Sequence, residues 1–436
     1  MKINIAHDSL HYHNLYESTN DNRYRRASQW LEFSFEYPTI KTVDHFLSTD
    51  ERFVYEIGTH NGPKYWCITP DGKHNIFNYI PKKIVQAMAT GQCALHIDQT
   101  MEAFPLHEYL TTFNDPRPVD YYKSIHNFLH TNNIKPKQII FSTSNLLEHE
   151  TYDKWCKNNG QDEKFNIVAL PYFACATQQR GFFDLVDKPD TGDDPHDVPY
   201  KDQMDYKTRN TIQNFNCLNR VERVHRYAFI SMLNYYNLIE NNIVSHNVYP
   251  QHIKDFIMME RWPDHPAWQK ENVHNTAKIL PLIYDMKDFN VNYAQNFNKQ
   301  IYKKTWFSLI TETFYQEPCP VVFYSEKIFK PMRAHHPFVI VGHPHSIKWL
   351  KKTGFKTFDK WWDESYDDVE NPTERMQKVC ELLLDLKKYD QTQWEKIYAD
   401  MQTVLEHNYN KLIKTDWYTK SYQKVIGNIW NDAFTK

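Results

Sequence analysis

Glycine is scarce in this sequence, which has 10 glycines among 436 residues against a usual content of about 7%. The sequence contains neither the Gly-x-Gly-x-x-Gly fingerprint of dinucleotide-binding folds nor the Gly-x-x-x-x-Gly-Lys phosphate-binding loop. Any phosphate bound by this protein must therefore be held by side chains and by the backbone N–H groups at helix N-termini.

Long apolar segments and paired cysteines are also missing. No run approaches the roughly 18 apolar residues of a membrane span, and the first residues lack the apolar stretch of a secretory signal. The seven cysteines are scattered and include no Cys-x-x-Cys pair that would indicate zinc binding or redox chemistry. These features predict a cytoplasmic protein with reduced thiols and no membrane span.

Charge of one sign is not in excess, because the formal net charge is only −3. The chain as a whole therefore has no electrostatic attraction to nucleic acid or to anionic lipid. Apolar residues at 41% and charged residues at 24% are ordinary for a globular protein. Since 436 residues exceed what one hydrophobic core usually contains, the length predicts two domains.

Short apolar runs alternate with helical patterns, which is typical of α/β domains with parallel sheets. We predict strands at residues 3–6, 53–57, 94–97, 138–142, 165–170, 213–218, 242–245, 306–310 and 338–341. We predict helices at residues 121–130, 146–157, 223–235 and 289–302. The predicted organisation is a first α/β domain over 1–186, a Pro- and Asp-rich linker over 187–210, a second α/β domain over 211–372, and C-terminal helices over 373–436 that pack across the domains.

A polar triplet follows one of these strands. The apolar run 306–310 ends in Thr311-Glu312-Thr313, which places the Glu312 carboxylate at the edge where doubly wound sheets bind ligands. The segment Ser325-Glu326-Lys327-Ile328-Phe329-Lys330 then predicts a helix with Ser325 as its N-cap. The start of this helix would offer backbone N–H groups and the Lys327 charge to a phosphate. The same pattern also fits an ordinary capped helix with a solvated Glu–Lys pair.

Basic residues cluster at a second strand-to-helix junction. The run from Asn219 to Arg226 contains Arg220, Arg223 and Arg226, and arginine side chains suit a diphosphate because their forked donors match its oxygens. A spacing of three residues predicts that Arg223 and Arg226 share a helix face while Arg220 lies in the preceding turn. Isolated surface charges would produce the same pattern.

Together these segments resemble known glycosyltransferases. Thr311-Glu312-Thr313 and the run from Ser325 to Lys330 are similar to the E-N-S and T-E-K-x-[FWY]-[RK]-N segments of the fucosyltransferase donor domain, over residues 210–370. The arginine run resembles the N-R-x-x-R-x-H-R segment of phage and bacterial glycosyltransferases. The resemblance implies a GT-B fold, in which two Rossmann-like domains face a cleft, and a nucleotide-sugar donor that is bound without metal.

The resemblance also implies roles for individual residues. Glu312 and Glu326 would contact the ribose, and Lys327 with one of the three arginines would hold the diphosphate. The predicted donor-binding set is Arg220, Arg223, Arg226, Glu312, Thr313, Ser325, Glu326 and Lys327. Two departures, Thr313 with Phe314 in place of Asn and Ser, and Pro331 in place of Asn, mean that neither fucose nor GDP carries over. Pro331 also predicts a helix that is short, kinked or restarted after Lys330.

A glycosyl transfer with inversion needs a general base near the acceptor hydroxyl, commonly a carboxylate. The strand at 94–97 is followed by two acids, so Asp98 and Glu102 are the predicted catalytic candidates. His7 and Asp8, after the first strand, are alternatives, and helix capping is another explanation for these acids. No metal site is predicted, because His335 and His336 are separated from His343 and His345 by a strand, roughly 20 Å.

The sequence therefore predicts a metal-independent, inverting glycosyltransferase that moves a sugar from a nucleotide-sugar to an acceptor hydroxyl, with no other cofactor. The Lys- and Asn-rich, Gly-poor composition is compatible with an AT-rich genome such as that of a phage. The acceptor is accordingly either a hydroxymethylated base in phage DNA, modified in the host cytoplasm, or a glycan. The alternative is a non-catalytic nucleotide- or carbohydrate-binding protein of the same fold.

Overall fold

The computed structural model describes residues 3–6, 10–11, 39–58, 75–100, 103, 106–107, 109–112, 115–176, 213–219, 223–246, 265–283, 299–315, 320–415, 417, 427 and 433–434. By its contacts the chain divides into two compact units. The first unit comprises Met1–Cys175, Glu317–Phe323 and Asp416–Lys436. The second comprises Ala176–Gln316 and Tyr324–Thr415.

A parallel sheet forms the centre of the first unit. Its strands are β1 (Asn4–Ala6), β2 (Leu10–His11), β3 (Thr39–Lys41), β4 (Phe53–Gly58), β5 (Cys93–Gln99), β8 (Ile139–Thr143) and β9 (Asn166–Ala169), while β6 (Tyr109–Thr112) and β7 (Asp115–Val119) form a separate antiparallel pair. The order is β3-β1-β4-β5-β8-β9, with β2 paired to β4, and each of these pairings is parallel. Strands β5 and β8 are buried along their whole length, as is usual for a sheet covered on both faces.

Helices flank this sheet. They are α1 (Val43–Thr49), α2 (Lys82–Ala89), α3 (Tyr121–Thr131), α4 (Glu148–Asn158) and α5 (Tyr172–Ala176). Helix α3 begins where the Asp120 side chain accepts a hydrogen bond from the backbone N of Lys123 (3.0 Å), which satisfies one of the free donors at the helix start. The apolar faces of the helices and the sheet form one core, in which the rings of Phe46 and Phe53 are stacked with centroids 5.2 Å apart.

The second unit has its own parallel sheet. Its strands are β10 (Gln213–Asn219), β11 (Ile243–His246), β12 (Thr305–Thr311) and β13 (Phe338–Val341). They lie in the order β11-β10-β12-β13, and the neighbouring strands are all parallel. The accompanying helices are α6 (Val224–Tyr235), α7 (Lys270–Ile279), α8 (Lys299–Lys304), α9 (Glu326–Arg333), α10 (Ser346–Lys352), α11 (Pro372–Leu386) and α12 (Gln391–Lys414).

The last two helices belong to the second unit by their contacts. Trp394 of α12 is fully buried and stacks on Trp306 of β12, with ring centroids 5.7 Å apart. One turn later the Tyr398 hydroxyl donates to the backbone carbonyl of Trp306 (2.5 Å). Helix α12, within the predicted C-terminal helical region 373–436, therefore packs against the sheet of this unit.

The predicted strands are confirmed, with ends that differ by at most two residues. The helices predicted at 121–130, 146–157 and 223–235 are also present, as α3, α4 and α6. The helix predicted at 289–302 is described only as α8, and residues 284–298 and the linker 187–210 lie outside the described residues. The mixed α/β class with parallel sheets is thus established, while the domain limits and the GT-B arrangement stay predictions.

Helix α9 runs through Pro331 instead of stopping before it. The proline nitrogen carries no hydrogen, so it donates no helical bond to the carbonyl of Lys327. The helix continues only to Arg333 and has eight residues in all. It is therefore short, as predicted, but is not restarted after Lys330.

None of the described helices is long and apolar enough to cross a membrane.

Candidate functional site

The strand order of the second unit defines where a ligand is expected. The connection from β10 leads to β11 on one side, whereas β12 and β13 lie on the other side of β10. The topological switch point therefore lies between β10 and β12, and ligands of such sheets bind at the carboxyl ends of the strands there. Asn219 ends β10 and Thr311 ends β12, and the Thr311 hydroxyl donates a hydrogen bond to the Asn219 side-chain oxygen.

Glu312 follows β12 at this edge and is only 2% exposed. Its Oε2 accepts hydrogen bonds from the Ser325 hydroxyl (2.6 Å) and from the backbone N of Thr313 (3.3 Å), and its Oε1 accepts from the backbone N of Ser325 (3.2 Å). Burial raises the pKa of this carboxyl above its usual value, although Lys327 and Ser325 oppose the shift. Glu312 therefore attaches the start of α9 to the end of β12.

Ser325 caps α9, as predicted, because its hydroxyl accepts a hydrogen bond from the backbone N of Lys327 (3.3 Å). The Lys327 ammonium donates to the Ser325 hydroxyl (3.0 Å) and to Glu326 Oε1 (3.1 Å), and its side chain is 22% exposed. Burial opposes ionisation of Glu326, but Lys327 and Lys330 outweigh it and hold the pKa of Glu326 below its usual value. A partly exposed cation thus lies directly at the N-terminus of α9.

The first turn of α6 contacts the same strand end. His225 Nε2 donates to the backbone carbonyl of Glu312 (3.0 Å), and Arg226 Nη2 donates to the carbonyls of Thr311 (3.1 Å) and Glu312 (3.3 Å). Arg226 is 1% exposed, and burial, with the nearby Arg223 charge, lowers its pKa to about 10. Burial and Arg226 also hold the pKa of His225 well below its usual value, so this imidazole is neutral near pH 7.

Arg223 is the N-cap residue of α6 and has an extended backbone, so it precedes the helix. The prediction that Arg223 and Arg226 share a helical face is therefore wrong. Its side chain is half-buried, and its Nε is shielded from solvent without a hydrogen-bond partner among the described residues. Its charge acts on both His225 and Arg226. Arg223 therefore brings an unsatisfied, charged donor to the switch point.

Most of the predicted donor-binding residues come together around this strand end. Glu312 contacts Thr313 and Ser325, and Lys327 contacts Ser325 and Glu326. Arg226 donates to the Glu312 carbonyl, and Arg223 is close enough for its charge to lower the pKa of Arg226. Arg220 lies outside the described residues. His225 and Asn219 also belong to this cluster but were not predicted as site residues. The place of Asn219 at a strand end and of His225 in the first turn of a helix could have indicated them.

The predicted catalytic base lies in the first unit. Asp98 is at the carboxyl end of β5 and is completely buried, and its Oδ1 accepts hydrogen bonds from the backbone N (2.9 Å) and hydroxyl (2.7 Å) of Thr100. Glu102 lies outside the described residues, as do His7 and Asp8. The catalytic assignment of Asp98 and Glu102 therefore stays a prediction.

A buried polar chain crosses three strands next to Asp98. His96 Nδ1 lies 3.0 Å from Glu56 Oε2, and His96 Nε2 lies 2.8 Å from the Ser142 hydroxyl. Burial disfavours a charge on His96, but Glu56 outweighs it and raises the pKa of the imidazole. The connectivity is that of a Ser-His-acid triad, but all three residues lie within strands and are fully buried, so no substrate reaches the serine. This chain joins β4, β5 and β8.

The histidines on the two sides of β13 make separate contacts. His336 lies 2.9 Å from the Ser308 hydroxyl through Nδ1 and 2.9 Å from the Thr305 carbonyl through Nε2, which attaches the residues before β13 to β12. His345, after the strand, is 3.1 Å from Asp368 and 3.1 Å from Glu370. Within the described part of the chain, no group of three or more His, Cys, Asp or Glu side chains is arranged to hold a metal ion.

Comparison with protein-family models finds none that matches this chain, and no curated protein matches it either. Among solved structures, a glycosyltransferase from Rickettsia africae ESF-5 is similar at 9% sequence identity with a TM-score of 0.36, over 94% of this chain and 84% of that chain. An identity and a TM-score this low do not establish a shared fold or a shared activity.

Proposed function

We propose that the protein is a nucleotide-sugar-dependent glycosyltransferase whose donor diphosphate binds at the carboxyl ends of β10 and β12. The observation that carries this proposal is the convergence of Arg223, Arg226 and Lys327 with the N-termini of two helices at the switch point of a parallel sheet. The sequence contains no glycine-rich phosphate loop. This cluster would instead supply the positive charges and N–H donors that bind a phosphate.

The three cations have different parts in the proposal. Arg226 is committed to the carbonyls of β12, so it is a positioning residue that shapes the site. Arg223 and Lys327 retain donors and would contact the diphosphate, together with backbone N–H groups of α9. Positive groups held in place there would stabilise the negative charge that develops on the departing nucleotide.

The finer features of the proposal rest on the resemblance to fucosyltransferase-like and phage enzymes. They are a GT-B arrangement, transfer with inversion and without metal, and a hydroxymethylated base in phage DNA or a glycan as the acceptor. Glu312 and Glu326 would accept from the ribose hydroxyls, and the Glu312 carboxylate retains acceptor capacity beyond its three observed hydrogen bonds.

Replacing Lys327 by Ala is expected to weaken nucleotide binding about 10- to 100-fold, because a hydrogen bond to a charged group contributes about 1.5–3 kcal/mol. The measurement is the rise in melting temperature with UDP, GDP, ADP or CMP, since a ligand that binds only the native state stabilises it. Lys348→Ala is the matched control, because Lys348 is an exposed lysine on α10. If none of the four nucleotides raises the melting temperature of the wild-type protein, the proposed site is wrong.

The second candidate function is a non-catalytic nucleotide- or carbohydrate-binding protein, which the complete burial of Asp98 favours. Replacing Asp98 by Asn separates the two candidates. An enzyme that uses Asp98 as its base should lose at least about 100-fold in sugar transfer while its nucleotide affinity is unchanged. Unchanged transfer in both Asp98→Asn and Glu102→Gln would show that neither carboxylate is the base, and absence of transfer in the wild-type protein would favour the binding protein.

A further inference from the structure

A pocket of about 410 Å³ opens in the second unit beside α11. Its lining comes from the segment between Trp361 and Tyr366, which follows α10, and from α11 together with Tyr389. Its size is within the range of ordinary small-ligand pockets. The pocket is separate from the switch point, because Trp362 contacts Phe307, which precedes Glu312 by five residues or roughly 16 Å along a strand.

Two consecutive tryptophans give this pocket its aromatic surface. Trp362 is 6% exposed and packs against the rings of Phe358 (5.1 Å between centroids) and Phe307 (6.2 Å). Trp361 is half-buried, and its indole Nε1 donates to Asp400 Oδ2 (2.8 Å), which holds the ring in place. One tryptophan is therefore fixed in the core, and the other is half-exposed at the pocket wall, with the Lys360 ammonium 5.2 Å from its ring centroid.

The indole Nε1 of Trp362 is buried and has no hydrogen-bond partner in the described part of the chain. A buried donor of this kind costs free energy unless a partner reaches it. Because this atom is shielded from solvent, a ligand in the pocket reaches it only after a shift of the Trp362 ring, and Trp361 is the aromatic surface that a ligand meets first.

Charged side chains of both signs complete the lining. Asp363, Glu381 and Asp385 are exposed acceptors, and Lys378 is a half-buried donor among them. Hydrogen bonds from Ser365, and then the Lys378 charge, lower the pKa of Asp363, so this carboxylate is ionised near neutral pH. The lining can therefore both accept and donate hydrogen bonds.

We infer that this pocket binds a neutral saccharide. A pyranose ring has a C–H face that buries apolar area against a flat indole, and its rim of hydroxyls both donates and accepts hydrogen bonds. Trp361 offers the indole, and the carboxylates with Lys378 offer the matching polar groups. The three carboxylates outnumber Lys378 and would also attract an organic cation, so the test below includes one. This inference does not depend on the proposed transferase activity.

The direct test is ¹⁹F NMR of the full-length protein labelled with 5-fluorotryptophan, with the signals of Trp361 and Trp362 assigned from Trp361→Phe and Trp362→Phe. The probes are cellobiose and the methyl glycosides of glucose, galactose, mannose and N-acetylglucosamine, added without nucleotide. At least one probe should shift the Trp361 signal in a saturable manner. The signal of Trp155, which packs against Tyr122 in the first unit, should stay unchanged.

Trp361→Ala should weaken binding of the active probe by roughly two- to tenfold, since an aromatic stacking partner contributes about 0.5–1.5 kcal/mol. Glu381→Gln is the second variant and keeps the aromatic wall, so it should weaken binding without unfolding the protein. Trp349→Ala is the matched control, because Trp349 is half-buried on α10 and does not line the pocket.

Two results would overturn the inference. One is that no saccharide shifts the Trp361 signal. The other is that tetramethylammonium chloride shifts this signal in a salt-sensitive manner while the saccharides do not, which would make the pocket a cation site. Loss of nucleotide binding in Lys327→Ala with saccharide binding retained would show that the two sites are independent.

Discussion

Replacing Arg226 by Ala is expected to lower the free energy of unfolding by about 3–4 kcal/mol. The substitution removes a fully buried side chain, and it deprives the carbonyls of Thr311 and Glu312 of a charged donor. Because these carbonyls end β12, the loss should also displace the residues that follow the strand. The measurement is the midpoint of urea unfolding, followed by fluorescence.

The control is Lys348→Ala, which removes an exposed cation on α10 of the same unit and should change stability by no more than about 0.5 kcal/mol. Arg226→Lys provides a second comparison, because it keeps the charge and loses the forked geometry. If Arg226→Ala were as stable as the wild-type protein and only nucleotide binding were lost, Arg226 would be a direct ligand of the phosphate and not a positioning residue.

A second large effect is expected from Glu148, whose carboxyl should make the free energy of unfolding depend on pH. This carboxyl is fully buried, and burial raises its pKa to about 7, even though Tyr122 (2.5 Å) and Asn145 (2.7 Å) donate hydrogen bonds to it. A raised pKa means that the native state binds the proton more tightly than the unfolded state. The stabilisation is therefore complete below about pH 4.5 and is lost as the pH rises to about 7.

The shift corresponds to roughly 3 kcal/mol, at about 1.4 kcal/mol for each pKa unit. We expect Glu148→Gln to remove this part of the pH dependence when unfolding free energies are compared between pH 5 and pH 8. Glu150→Gln is the matched control, because Glu150 is exposed on the same helix. An identical decline of stability with pH in Glu148→Gln and the wild-type protein would contradict the assignment.

The secondary structure was predictable because most strands of the two parallel sheets are short apolar runs between polar segments. The capping function of Ser325 was predictable for a similar reason, since a serine directly before an amphipathic segment is a local signal. The same applies to the position of Glu312, because a polar residue after a buried strand lies at the carboxyl edge of the sheet.

What could not be predicted depends on contacts between distant parts of the chain. The sequence shows Arg223 and Arg226 as equivalent basic residues, but only Arg226 is buried against β12, and no periodicity in the sequence encodes this difference. Likewise, Pro331 predicted a helix that is short, kinked or restarted, and only the structure shows that the short helix runs through it, with one face buried by tertiary contacts.

The segment 317–323 likewise makes its contacts with a distant part of the chain. It belongs to the first unit, where the backbone N of Val322 donates to the Asn145 side-chain oxygen (3.1 Å) and the backbone N of Leu146 donates to the Val322 carbonyl (2.9 Å). Nothing in its composition distinguishes it from the residues of the second unit around it.

The division of the chain has a consequence for its synthesis. The chain changes unit four times, after Cys175, Gln316, Phe323 and Thr415. The first unit therefore obtains its last segment, in which Phe434 lies 5.4 Å from Arg52, only after the entire second unit has left the ribosome. Its folding ends after translation of the second unit and not before it, and no single cut in the gene yields two self-contained fragments.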